Sequence, residues 1–331
     1  MPNFLHSPLL TAIVAALAIG TASAAPPTTP SVVATTGMIG DIAADVAGPC
    51  LEVTTLMGPG VDPHLYRATA RDVRTLQGAD LVLFHGLDLE GQLGQVLERL
   101  GARTPTHAVG EGVTPDAERL TVEGGLIDPH VWMDPTIWGR VPSALAERFA
   151  ALAPECADDL ATRADAATAL LHDLDAWIGR VVDTVPPEAR VLVTAHDAFG
   201  YFARRYGFEV VAIQGISTEA EASVRDVRET ADLVVARRIP SVFFETSISP
   251  RTVEAVIAAA RDRGADVEVG GELYADALGP AGTSAGTYTG MIVHTVATIS
   301  LGLGGSLPPF DGALAAWAEG RTDLPSAAGG E

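Results

Sequence analysis

Short apolar runs alternate with stretches of helical periodicity through most of this chain. Strands are predicted at 32–36, 51–56, 81–84 and 106–109, with helices at 39–46, 69–77 and 89–100 between them. The turn Met57-Gly58-Pro59-Gly60 breaks the second strand. Strands that alternate with helices in this way imply βαβ units and a parallel sheet. The middle of the chain differs. From residue 135 to about 182 the pattern is Ala-rich amphipathic helix without a strand, and Pro142 and Pro154 are natural helix starts. The stretch 155–182 holds no internal proline, and at 1.5 Å per residue it would span roughly 40 Å, enough to cross a whole molecule and join two lobes stiffly. Pro186-Pro187 ends it. The alternation then resumes, with strands at 191–194, 210–213, 242–245 and 267–269 and helices at 199–206, 222–237, 250–263 and 287–301. The expectation is an α/β protein of two lobes, each a parallel sheet flanked by helices, joined by one long rigid helix. Its bounds are an N-terminal lobe at 31–153, a linker helix at 154–185, a C-terminal lobe at 186–310 and a tail at 311–331.

The first residues depart from this plan. An almost unbroken apolar run at 9–19 precedes Ala22-Ser23-Ala24, an A-x-A type cleavage site, so 1–25 is expected to be a signal peptide cut near Ala24. The run is shorter than the about 20 residues a membrane span needs. No Lys or Arg precedes it, which is unusual for an export signal, and no cysteine follows it, which argues against a lipid-anchored lipoprotein. The expected location is the periplasm.

Composition narrows the function. With 331 residues, 47% hydrophobic and 19% charged, the chain has material for two packed cores and is not a disordered polymer. Its formal net charge of −21 argues against nucleic acid, because a polyphosphate would be repelled, and suits a cationic ligand; acidity that only keeps a secreted protein soluble is the plainer alternative. The two cysteines, Cys50 and Cys156, form no C-x-x-C pair. In an oxidising compartment they either bridge or stay as buried thiols, and their spacing does not decide.

Four residues in four separate loop-like segments carry the chemistry. His64 ends Gly-Val-Asp-Pro-His, His130 lies in Ile-Asp-Pro-His-Val-Trp, His196 follows the strand at 191–194, and Asp276 sits in a Gly-rich segment. Imidazoles and a carboxylate together suit a divalent transition metal. His64, His130 and His196 are separated by 66 positions at each step, so only the whole fold could gather them, unlike the local ligands of a zinc finger. Asp-Pro-His occurs twice. Proline stiffens the backbone before each histidine, and the aspartate is placed to orient the ring. Taken singly, each of the four has an ordinary structural explanation; together they point to one site at the carboxyl ends of strands, where open α/β sheets bind ligands. His85 is expected in the cleft wall as a hydrogen-bonding residue, His107 and His172 on the surface, and His294 packed in an apolar helix. Glu219 and Glu221 are expected to cap the following helix, and Asp197 is a possible cap after His196.

These residues resemble the TroA-like family of zinc/manganese solute-binding proteins that serve bacterial ABC importers. The resemblance covers about 32–303. Its segments are Gly60-Val61-Asp62-Pro63-His64-Leu65-Tyr66-Arg67-Ala68-Thr69, Asp128-Pro129-His130-Val131-Trp132-Met133-Asp134, Thr194-Ala195-His196-Asp197-Ala198-Phe199-Gly200-Tyr201-Phe202, Gln214-Gly215-Ile216-Ser217-Thr218 and Gly271-Glu272-Leu273-Tyr274-Ala275-Asp276-Ala277-Leu278-Gly279. The resemblance implies metal ligation by His64, His130, His196 and Asp276 in a cleft between two lobes, with a membrane permease as partner and the protein acting as a monomer. It leaves the cargo open between Zn²⁺ and Mn²⁺, with Fe²⁺ a further option. Zinc-dedicated members often carry a His-rich loop before the second ligand, whereas 114–127 is short and lacks histidine. Many manganese-dedicated members have Glu in place of the histidine at 196, and Gly86-Leu87-Asp88-Leu89-Glu90-Gly91 looks like the manganese/zinc/iron branch. Three imidazoles and one carboxylate favour Zn²⁺ as the tightest binder. Four protein ligands leave no place for an activated water, which argues against an enzyme. The rival is a periplasmic zinc hydrolase with Glu219 or Glu245 as its base.

Overall fold

A computed structural model describes residues 29–326. The expected signal peptide and its cleavage site lie outside the described residues. Four strands, β1 (Ser31–Ala34), β2 (Glu52–Thr55), β3 (Leu81–Phe84) and β4 (Thr106–Ala108), form one parallel sheet in the order β2-β1-β3-β4. Helices α1 (Gly37–Ala47), α2 (Ala70–Gln77), α3 (Gly91–Leu100) and α4 (Val109–Val113) fill the crossovers and the sheet's end. In α2, the Thr69 hydroxyl accepts from the Asp72 backbone and the Asp72 carboxylate from that of Thr69, so the start is satisfied reciprocally.

Next come α5 (Pro135–Trp138), α6 (Val141–Leu152) and the long α7 (Ala157–Val182). Leu160, Ala164, Leu171, Leu174, Trp177 and Val181 recur at helical spacing along α7 and are buried, so this helix packs along its length. Cys50 and Cys156 form a disulfide that ties the turn after α1 to the start of α7.

The second lobe holds β5 (Val191–His196), α8 (Gly200–Tyr206), β6 (Glu209–Gln214), α9 (Val224–Arg237), β7 (Ser241–Glu245), α10 (Arg251–Arg261) and β8 (Glu268–Leu273). The strands make two parallel pairs, β5-β6 and β7-β8, with β5 lying beside β7. Helix α11 (Tyr288–Gly302) is almost wholly buried. The expected tail contains a further helix, α12 (Gly312–Ala318), which packs on α7 through the buried Leu314. Its 7 residues make only about two turns, too short an apolar period to stand out in sequence.

One continuous apolar cluster runs from the first sheet through α1, α6 and α7 to α11, with Trp132, Trp138 and Tyr288 fully buried in it. Two smaller clusters lie beneath α2 and α3 and between α9 and α10. The lobes therefore share a core behind the cleft. Among the described residues no helix is long and apolar enough to cross a membrane.

Candidate metal centre

His64 sits in the loop after β2, His130 in the loop before a short helical turn at Val131–Met133, His196 at the last position of β5, and Asp276 just after β8. All four are buried, and one nitrogen or oxygen from each lies within 4.8 Å of the others. Asp276 is the hub: its Oδ2 is 3.6 Å from His64 Nε2 and 3.1 Å from His196 Nε2, and its Oδ1 is 3.4 Å from His130 Nε2. A tetrahedral zinc shell with bonds of about 2.0–2.1 Å has ligand-to-ligand edges of about 3.4 Å. The three histidine Nε2 atoms and both Asp276 oxygens are buried without a hydrogen-bond partner. Unpartnered buried polar atoms cost free energy, and a divalent cation at their focus would satisfy all five.

Carboxylates behind the rings set their orientation. Asp128 Oδ1 lies 2.8 Å from His130 Nδ1 and accepts from the His130 backbone at 2.9 Å. Glu245, at the end of β7, is in contact with His196 Nδ1 through one oxygen, and its other oxygen accepts from the His196 backbone at 3.1 Å. Both contacts turn Nε2 toward Asp276. His64 is held differently: its backbone N–H donates to Asp62 Oδ1 at 2.8 Å, and among the described residues no carboxylate bonds its Nδ1. The two Asp-Pro-His copies thus diverge, one aspartate holding ring and backbone and the other only backbone.

The charges follow this geometry. Burial opposes a proton on His130, but Asp128 and Asp276 outweigh it and lift the imidazole to about 9. Burial likewise opposes a proton on His196, and Glu245 with Asp276 overcomes it and raises the ring well above its ordinary value. Burial would raise Asp276, yet His196 and His130 hold it well below the usual carboxylate range. His64, where burial prevails, falls to about 4.

Other residues differ in part from their sequence expectations. His85 is fully buried, with Nε2 2.6 Å from the Pro129 carbonyl and its ring between Trp132 and Trp138, so it props the His130 loop from behind. His172 is exposed, but His107 on β4 is half-buried. His294 is half-buried against Tyr274. Glu219 and Glu221 are exposed and do not cap α9; Ser223 does, in a capping box with Asp226. Asp197 does not cap α8 either. Glu245 enters the sequence reading only as one of two candidate bases, with Glu219, of the rival hydrolase; its carboxylate is fully buried against His196. The signal available was its position, a charged residue ending the apolar strand Val242-Phe243-Phe244. Glu90 was also missed. Buried, it accepts from Thr35 Oγ1 at 2.8 Å and from the His85 and Gly86 backbone, fixing a loop in which Leu87 and Asp88 both have positive φ.

A cavity of about 380 Å³ opens over His64, lined on one side by Leu87, Asp88 and Leu126 and on the other by Ile216 and Glu219. It is the mouth of the cleft.

Comparison with known proteins agrees with this architecture. The model of the family described as zinc-uptake complex component A, periplasmic, matches residues 32–302. The zinc-binding protein TroA of Treponema pallidum is 46% identical over 85% of this chain and 91% of its own length. Its solved structure superposes with a TM-score of 0.81, covering 83% of this chain and 99% of that one. The manganese-binding lipoprotein MntA of Bacillus subtilis is 41% identical over 82% of this chain and 89% of its own length. The iron-binding protein YfeA of Yersinia pestis is 33% identical over 82% and 86%. None of these relatives supports a hydrolase. With two lobes on one long helix and a match over nearly all of its described length, the chain belongs to the periplasmic zinc-uptake component A family.

Proposed function

We propose that this chain is the extracytoplasmic substrate-binding protein of a bacterial metal ABC importer. It captures a divalent transition metal in the interlobe cleft and delivers it to the membrane permease. His64, His130 and His196 bind through Nε2, and Asp276 supplies one or both oxygens. The observation that carries this reading is the set of five buried, unpartnered polar atoms converging from both lobes. Two of the residues precede α7 and two follow it, so a bound cation bridges the lobes.

The cargo is Zn²⁺ or Mn²⁺, with Fe²⁺ as a third possibility given the metals named for the relatives. Three imidazoles favour Zn²⁺ in a direct competition, while metal supply decides which is carried in the cell. Four protein ligands leave no coordination site for an activated water, which accords with binding rather than catalysis. Export by a cleaved signal peptide at 1–25, the lobe limits at 31–153 and 186–310, and action as a monomer belong to the same proposal.

The test is metal analysis of protein purified without added metal, followed by titration with Zn²⁺ and Mn²⁺ in competition. One metal per chain is expected, with Zn²⁺ displacing Mn²⁺. Unchanged affinity in His196→Ala would remove that residue from the ligand set.

A further inference from the structure

The segment Gln214-Gly215-Ile216-Ser217-Thr218 stood out in sequence but supplies none of the four proposed ligands. The structure places it at the last residue of β6 and in the loop that leads to α9, where Ile216 and Ser217 line the cleft mouth. Thr218, buried at its end, donates its hydroxyl across the cleft to Asp62 Oδ2 at 2.6 Å. The other oxygen of that same carboxylate holds the His64 backbone N–H. A single side chain of the first lobe therefore has one oxygen committed to a metal-site residue and the other to the opposite lobe.

His64 depends on this arrangement more than its counterparts do. Behind its ring it lacks the carboxylate contacts that Asp128 and Glu245 give to His130 and His196. It is held through its backbone. On the other side of the peptide, the His64 carbonyl lies so close to Gly91 that a Cβ there would stand 2.3 Å from the oxygen, and Gly91 has φ +41°. The Asp62 carboxylate and Gly91 together fix where His64 Nε2 points. Only Asp62 is bonded to the second lobe.

We propose that Thr218 is a positioning residue, a latch that couples closure of the cleft to the placement of His64. With the lobes together, the hydroxyl holds Asp62, and Asp62 holds His64 in register with Asp276. When the mouth opens, this hydrogen bond is lost, the Asp62 carboxylate gains water, and His64 loses its registration on the metal. Opening and the release of one ligand become a single event. The inference rests on the metal-capture reading above.

The experiment is the dissociation rate of Zn²⁺ from the full chain, measured by rapid mixing with excess chelator. A hydrogen bond to a charged group is strong enough that its loss should speed release about tenfold. Thr218→Val is expected to show that increase while still folding cooperatively and binding one Zn²⁺ per chain. Thr218→Ser, which keeps the hydroxyl, is expected to restore the parent rate. Release from Thr218→Val at the parent rate, or release from Thr218→Ser as fast as from Thr218→Val, overturns the latch and leaves the metal site standing. A parent chain that holds no Zn²⁺ overturns both.

Discussion

The two lobes meet behind the metal centre and again at its mouth, and these two meetings are unlike. Behind the metal centre, the Trp132 indole donates to the Ala275 carbonyl at 2.9 Å, the Tyr288 hydroxyl donates to the Trp132 carbonyl at 2.7 Å, and the Tyr288 backbone donates to Asp41 at 2.8 Å. Trp132, Trp138 and Tyr288 are fully buried there in a core common to both lobes. In front, at the mouth, a cavity separates the lobes, and the partly exposed Asp62 reaches Thr218 by one hydrogen bond. A packed, hydrogen-bonded seam resists shear, whereas one hydrogen bond beside water opens at small cost. His130, His196 and Asp276 stand against the stiff seam and are fixed by their neighbours. His64 stands at the loose one. The contrast describes a site with three rigid walls and one adjustable side, suited to holding a cation and letting it go without dismantling the protein.

The largest expected effect comes from breaking the rear seam. Trp132→Ala removes a buried ring and an interlobe hydrogen bond and should lower the stability of the metal-free chain by about 3–5 kcal/mol. Denaturant unfolding measures this; a loss below about 1 kcal/mol would mean the rear seam is not the rigid one. Next is the wall itself. Glu245→Gln keeps the shape but loses the charge behind His196, and loss of such a supporting partner typically weakens metal binding by about 10–100-fold. Competition with a chelator of known affinity reads the change, and an unaltered Kd would show that His196 needs no carboxylate.

Protons distinguish the walls from the mouth more gently. In the metal-free chain His130 holds its proton up to about pH 9, and His196 is shifted the same way, while His64 is neutral above about pH 4. Metal needs neutral imidazoles, so binding near neutral pH must expel protons from the walls and none from the mouth. Zn²⁺ affinity should therefore rise with pH up to about 9, by at most about tenfold per unit for each proton released. Titration calorimetry in buffers of different ionisation enthalpy counts those protons; a count of zero contradicts the assignment. The stability of the metal-free chain runs the other way. A raised histidine contributes fully below its ordinary value near 6.5, and the contribution disappears as pH rises through the folded value near 9. The melting temperature without metal should fall across that interval more than it does with Zn²⁺ bound.

Much of this contrast was legible in the sequence on one side and hidden on the other. Strand β3 at Leu81–Phe84 and the long helix α7 followed from apolar runs and periodicity, because each buries a face whose spacing a sequence displays. His64, His130, His196 and Asp276 stood out by residue type and by the repeated Asp-Pro-His. Asp128 behind His130 was readable because it is two residues away. Glu245 is 49 residues from His196, and Thr218 is 156 from Asp62. Such pairs exist only once the crossovers set β7 beside β5 and bring the two lobes face to face. Trp132 and Tyr288 were visible as large apolar residues, but nothing local marks them as bonded to each other across the lobes. Periodicity reports what faces inward; it does not report what it meets there.

The smallest effect tests the contrast most directly. If the rear seam holds and only the mouth gives, metal binding cannot swing the lobes far. A chain of this size has a radius of gyration of about 20 Å, and scattering profiles with and without Zn²⁺ should differ by less than about 1 Å in that radius. A wide hinge would require the Trp132–Ala275 and Tyr288–Trp132 bonds to break and the common core to part. That would expose apolar surface with nothing to offset it. A larger change in radius would therefore show that the seam opens, and the three-walled description of the site would fail with it. A small change accompanied by faster release in Thr218→Val would place the working motion at the mouth, in the few residues between Asp62 and the loop that carries Thr218.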